Sequence, residues 1–145
     1  MDKTSLETIN KGKRNFITLA ILTLLVIGII VGLFTNYKEE TLVCDKSKDN
    51  CYVERTNMLN SKKREDLIAI SNIEYPTYIP NNVSGNMYAK GYTSYYLSFY
   101  SKQKENIKIF STEYYEKEQV KEVINDLRQK LKDPKARIIR ITQKL

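Results

Sequence analysis

Residues 16–34 read FITLAILTLLVIGIIVGLF, nineteen residues without a charge. Thr18 and Thr23 are the only polar side chains among them. A helix satisfies both hydroxyls by bonding them to its own carbonyls. At 1.5 Å per residue the block reaches about 28 Å, close to the hydrocarbon thickness of a bilayer. A helix on a water-soluble domain turns a polar face to solvent, and this one has none. The block therefore reads as a transmembrane helix. A cleaved signal peptide has a shorter apolar core and a small-x-small exit. Here the exit is GLFTNYKEE. A lipoprotein site fails too, because Cys44 follows Val43 and lies ten residues past the block.

The flanks set the direction. Lys11, Lys13 and Arg14 precede the block, and NYKEE follows it. Basic residues beside a span stay in the cytoplasm. The expectation is a cytoplasmic tail over 1–15, a span over 16–34, a linker over 35–40 and an extracytoplasmic domain over 41–145. The membrane is a plasma membrane or a bacterial inner membrane.

On that side thiols oxidise. Cys44 and Cys51 are the only cysteines, and DKSKDN lies between them. Thr41 to Val43 and Tyr52-Val53 are β-prone, and the six residues between the cysteines favour turns. A hairpin results, with the two cysteines facing each other across paired strands at a separation that suits a disulfide. Two reduced thiols remain the alternative if the domain is cytoplasmic. A zinc site lacks ligands, since there is no histidine and no third cysteine. A calcium loop lacks its glycine at Asn50 and its glutamate at Thr56.

Downstream, Asp66 to Tyr75 is rich in β formers. Thr93 to Ser101 alternates, with Tyr95, Leu97 and Phe99 on one face. Ile107 to Ser111 follows the turn KQKEN and closes a hairpin. Val120, Val123, Ile124, Leu127 and Leu131 recur at helical spacing, and Asp133-Pro134 ends that helix. ARIIRITQ reads as a short closing strand. Pro76 to Gly91 reads as a long loop. The class is α+β: one N-terminal transmembrane helix, then a mainly antiparallel β domain with a C-terminal amphipathic helix laid on a sheet of five or more strands. The span, LVCDKSKDNCYVER, the KKREDLIAISNI run and the last helix together resemble bacterial membrane-anchored domains with a pleckstrin-homology-like fold, over residues 41–133. The resemblance implies a bent sheet capped by a C-terminal helix and a binding or assembly role.

Chemistry is thin. Without histidine no Ser-His-Asp or Cys-His arrangement forms, and no phosphate-binding glycine motif occurs. No enzyme, cofactor or metal is expected. Three features point to binding instead. Gly28 and Gly32 sit four apart in the span and would let two helices pack as a homodimer; ordinary glycine use is the plainer reading. Lys62, Lys63 and Arg64, read as a hairpin tip, would meet anionic headgroups or an acidic partner; a solvated turn is the plainer reading. Tyr75, Tyr78, Tyr88 and Tyr92 border the long loop and suit a recognition surface; filling of the sheet rim is the plainer reading. Net charge is +7, and residues 37–145 hold twenty Lys and Arg against fifteen Asp and Glu. The topology argues against nucleic acid. The expected role is that of a subunit or assembly factor that binds a protein partner in an envelope complex. The alternative is a membrane-surface module for anionic lipid or polymer.

Overall fold

The computed structural model describes residues 3–145, with side chains from Phe16 onward. Helix α1 runs Lys3–Thr35, so residues 3–15 of the expected tail belong to the same helix as the apolar block. Within α1, Phe16–Thr35 is long and apolar enough to cross a membrane, and none of it is buried against the rest of the chain. Its threonines are satisfied internally. Thr23 donates to the Leu19 carbonyl at 2.9 Å, and Thr35 donates to that of Val31 at 2.9 Å.

Only Asn36 separates α1 from strand β1, Tyr37–Asp45. Most of the linker expected over 35–40 is therefore strand. The ladder recruits it from both sides: the Met58 amide donates to the Asn36 carbonyl at 3.2 Å, and the Leu145 amide donates to that of Lys38 at 2.9 Å. β1 pairs with β2 (Asn50–Asn57) and with β7 (Ile138–Lys144), and β3 (Lys62–Ile68) pairs with β2. The order β3-β2-β1-β7 makes an antiparallel sheet with β1 inside it. Cys44 faces Cys51 in the β1–β2 register and is bonded to it, with an S–S distance of 2.01 Å and Cα atoms 4.0 Å apart. Both are fully buried.

The apolar run 66–75 is not one strand. β3 ends at Ile68, a single 3-10 turn spans Ile70–Asn72, and β4 starts at Ile73 in a different sheet. Asp49 holds this corner. Its carboxylate accepts from the Ser71 amide at 2.7 Å and from the Ser71 hydroxyl at 2.5 Å. These donors keep the Asp49 carboxyl below its usual range.

The expected loop Pro76–Gly91 is corrected as well. β4 covers Ile73–Val83, including Pro76 and Pro80, and pairs along its length with β5, Tyr92–Ser101. A proline is tolerated in a ladder where its missing N–H faces away from the neighbour. Pro76 and Pro80 are four apart, so the missing N–H of each lies on the same, unpaired edge of this edge strand. The true loop is 84–91. It closes through Gly85 and Gly91, where a Cβ on Gly85 would lie 2.5 Å from the Gly91 nitrogen. β6 is short, Asn106–Lys108, and completes the order β4-β5-β6. Ile109 and Phe110 leave this sheet edge for the core.

Two sheets of four and three strands thus replace the single sheet expected, and helix α2 (Lys117–Lys132) buries Val120, Ile124 and Leu127 against them. The helix is not the last element, because β7 follows it. On β1 the residues Glu40, Leu42 and Cys44 share one face by the two-residue period of a strand. All three are fully buried. Glu40 accepts from Arg55 Nε at 2.6 Å, from the Ser111 amide at 2.6 Å and from the Ser111 hydroxyl at 2.8 Å. It thereby ties β1 and β2 to the segment that follows β6.

Replacing Cys44 and Cys51 together by alanine should lower stability by about 2–3 kcal/mol, the loop-closure value for a ring this short. Urea unfolding of the detergent-solubilised chain measures it, and an unchanged midpoint contradicts it. Glu40→Ala should cost about 3 kcal/mol, because it leaves the guanidinium of Arg55 and the Ser111 amide short of their acceptor in the interior. The same unfolding assay reads that loss.

Candidate functional site

A concave surface lies between edge strand β4 and helix α2. A cavity of about 330 Å³ is lined by Ile73, Tyr75, Pro76, Arg128, Leu131 and Lys132 among others. A second, about 300 Å³, shares Tyr75, Pro76 and Arg128 and extends past Tyr78 to Lys121. Together they form one groove along β4.

Each wall follows from the local sequence. Alternation along β4 sends Pro76 inward, where it is buried as the floor. Tyr75 pairs across the ladder with Tyr100, the rings stacked at 5.0 Å and 21°. Tyr78 meets Tyr95 edge to face at 5.4 Å. Lys117 lies 5.8 Å above the Tyr78 ring. On the helix, Val120, Ile124 and Leu127 turn into the core, which leaves Lys121 and Arg128 on the groove side. Lys121 is paired with Glu118 at 3.1 Å. Arg128 and Lys132 have no acidic partner among the described residues, and Glu74 is the one carboxylate on the groove wall. The groove thus has an aromatic and proline wall and a cationic rim. It suits an extended segment carrying apolar side chains and a carboxylate. Addition of a strand to β4 is disfavoured, because the outward edge lacks donors at Pro76 and Pro80.

A second polar cluster lies near the far end of β4. Glu113 accepts from Asn81 at 2.9 Å and from the buried Ser94 hydroxyl. These hydrogen bonds hold its carboxyl below the usual glutamate range. Lys108 sits 3.3 Å over the Tyr96 ring, and burial together with the Glu113 charge pushes the Tyr96 hydroxyl up. Burial pushes the Tyr114 hydroxyl up to about 12. Ser94 is fully buried beside Glu113, so its hydroxyl is not presented to solvent. Among the described residues no group of three metal-ligating side chains gathers.

The residues singled out in the sequence end up apart. Lys62, Lys63 and Arg64 do not form a hairpin tip; they lie on β3, because Asn57 closes the turn ahead of them by accepting from the Ser61 amide. Lys62 pairs with Glu54 at 2.8 Å. Arg64 pairs with Asp66 at 2.7 Å and stacks 3.8 Å over Tyr52. Strand alternation sends Lys63 to the opposite face. Of those tyrosines, Tyr75 and Tyr78 line the groove. Tyr92 packs near Tyr115 at 5.9 Å, and Tyr88 is 92 % exposed in the 84–91 loop. Nothing lies within 4 Å of the position a Cβ would take on Gly28, and Gly32 approaches only the Asn36 side chain, at 3.9 Å. Tyr75 and Arg128 were missed as a pair. Each stood out in its own segment, as a rim tyrosine and as part of a charged helix face, but their meeting depends on how α2 crosses the second sheet.

With this geometry established, comparison with known proteins adds no relative: no family model, no curated protein and no solved structure matches the chain.

The Glu113 cluster makes a pH prediction. A carboxyl held below its unfolded value of about 4.5 contributes stability that is present above that value. The contribution is lost as pH falls through the lowered folded value. Ser94→Ala removes the largest cause, so the Glu113 titration should move up toward the ordinary value. Carboxyl NMR of labelled protein reads this, and an unmoved titration would show that Ser94 is not the cause.

Proposed function

We propose that the chain is a single-pass membrane protein with a cytoplasmic N-terminus. Its domain outside the membrane binds an envelope protein, as a subunit or assembly factor, through the β4–α2 groove. The observation that carries this reading is the unpaired Arg128 facing Tyr75 and Pro76 across a continuous groove. A surface cation with no ion-pair partner among the described residues, beside exposed aromatic area, fits an acidic and apolar segment of another protein. The Cys44–Cys51 bond supports an oxidising compartment for this domain. The four-plus-three strand arrangement with one packed helix supports a pleckstrin-homology-like reading, with the departure that β7 follows the helix and returns to β1. The lipid reading through Lys62, Lys63 and Arg64 is the weaker one, since two of the three already have acidic partners.

The test is site-specific photocrosslinking in intact cells, with the reactive residue at position 75 or at position 48. A discrete adduct should form from position 75, where an aromatic reactive side chain replaces an aromatic one, and not from position 48. With the crosslinker at position 75, Arg128→Glu should weaken capture by about 2 kcal/mol. Equal adducts from both sites, or capture indifferent to the charge reversal, would remove the groove reading. Membrane-impermeant thiol reagents should label the intact cells only after reduction. Labelling that requires permeabilisation and no reductant would reverse the topology.

A further inference from the structure

The turn between β2 and β3 stands directly beside the end of the apolar helix. Asn57 Nδ2 donates to the Phe34 carbonyl at 3.3 Å, and the Met58 amide donates to that of Asn36 at 3.2 Å. Phe34 belongs to the apolar stretch read as the span, so these bonds hold the turn within about one helical turn of its end. The turn exposes two large apolar side chains, Met58 at 52 % and Leu59 at 46 %. A turn in water does not ordinarily display consecutive apolar residues, since turn chemistry favours Gly, Asn, Asp and Ser.

The turn is also built stiffly. Asn57 is itself buried, and its Oδ1 accepts from the Leu59 amide at 3.0 Å and from the Ser61 amide at 2.9 Å. Asn60 takes the left-handed conformation, with φ of 61°, that completes the reversal. One side chain thus shapes the turn and fastens it to the helix. Around it stand Lys38, which donates to Asn60 Oδ1, and Lys63, which has no acidic partner among the described residues. An apolar tip with lysines behind it is the arrangement that seats a protein segment at a lipid interface.

We propose that Met58 and Leu59 dip into the lipid interface beside the span, with Lys38 and Lys63 at the level of the headgroup phosphates. This would give the domain a second point of attachment and fix its tilt on the membrane. The inference rests on the reading of Phe16–Thr35 as a span. Covalent and hydrogen-bonded continuity with that stretch is what assigns lipid, rather than another protein, as the occupant.

The chain has no tryptophan, so a single introduced one reports alone. Full-length Leu24→Trp, Leu59→Trp and Lys48→Trp variants are reconstituted in vesicles of phosphatidylcholine and phosphatidylglycerol, with and without acyl-brominated lipid. Leu24 lies in the span, and Lys48 lies in the turn at the other end of β1. Leu59→Trp should emit to the blue of Lys48→Trp and lose most of its emission to brominated lipid, as Leu24→Trp does. Lys48→Trp should be unaffected. Quenched Leu24→Trp with unquenched Leu59→Trp overturns the inference and leaves the span standing. Quenching of Lys48→Trp as strong as that of Leu59→Trp also overturns it, since lipid contact would not be particular to this turn. An unquenched Leu24→Trp overturns the span itself, and this inference with it. Met58→Trp repeats the measurement should Leu59→Trp fail to fold.

Discussion

A single residue, Asn36, stands between an apolar helix and the strand that the first sheet is built around. β1 cannot swing freely on so short a joint, and its neighbours remove the remaining freedom by bonding to Phe34, Asn36 and Lys38. Because β1 pairs on both sides, the orientation of the helix end passes directly to β2 and β7. The rest of the domain is then placed by what lies on the inner face of the same strand. Leu42 and Cys44 face the hydrophobic core, and Glu40 reaches across to Ser111.

That inner face mixes covalent, apolar and charged contacts within five residues. The disulfide closes a ring too small to constrain much of the unfolded chain, yet it seals the sheet end farthest from the helix. Glu40 acts at the other end. A buried carboxylate is costly unless its lone pairs are filled, and here Arg55 and two Ser111 donors fill them. The charge adds little net stability by this account. It does dictate which segment may cover β1 at that point, because only a backbone amide and a hydroxyl in the right place satisfy it.

The groove follows from two unrelated local facts. The two prolines of β4 leave an edge that resists further strand pairing, so the strand can lie open without inviting aggregation. The helix that crosses it turns its apolar stripe inward and its cations outward. Neither fact alone makes a site. Their juxtaposition gathers Tyr75, Pro76 and Arg128, which are separated by half the domain in sequence.

The hairpin around the cysteines, the β5–β6 hairpin, the residues of α2 that face the core and the returning strand β7 were all legible in the sequence, because each rests on period or turn chemistry. The apolar run 66–75 was not divided correctly. Its break at Ile70–Asn72 is enforced by Asp49, a residue seventeen positions upstream of Asp66 in a different turn. β4 was read as loop because prolines argue against strands wherever the neighbour is unknown, and only the sheet order makes it an edge. Lys62 to Arg64 were read as a tip because the turn that Asn57 closes is held by a side chain whose reach a pattern does not show.

By itself, then, the sequence determined that one apolar helix precedes an α+β domain with paired cysteines, since length, charge and alternation are properties of contiguous residues. Tertiary structure alone decided that the strands divide into two sheets, that β4 and α2 form a groove, and that Met58 and Leu59 stand beside the end of the apolar helix. Those outcomes depend on contacts between distant residues, and a contact of that kind leaves no periodic trace in either of its two segments.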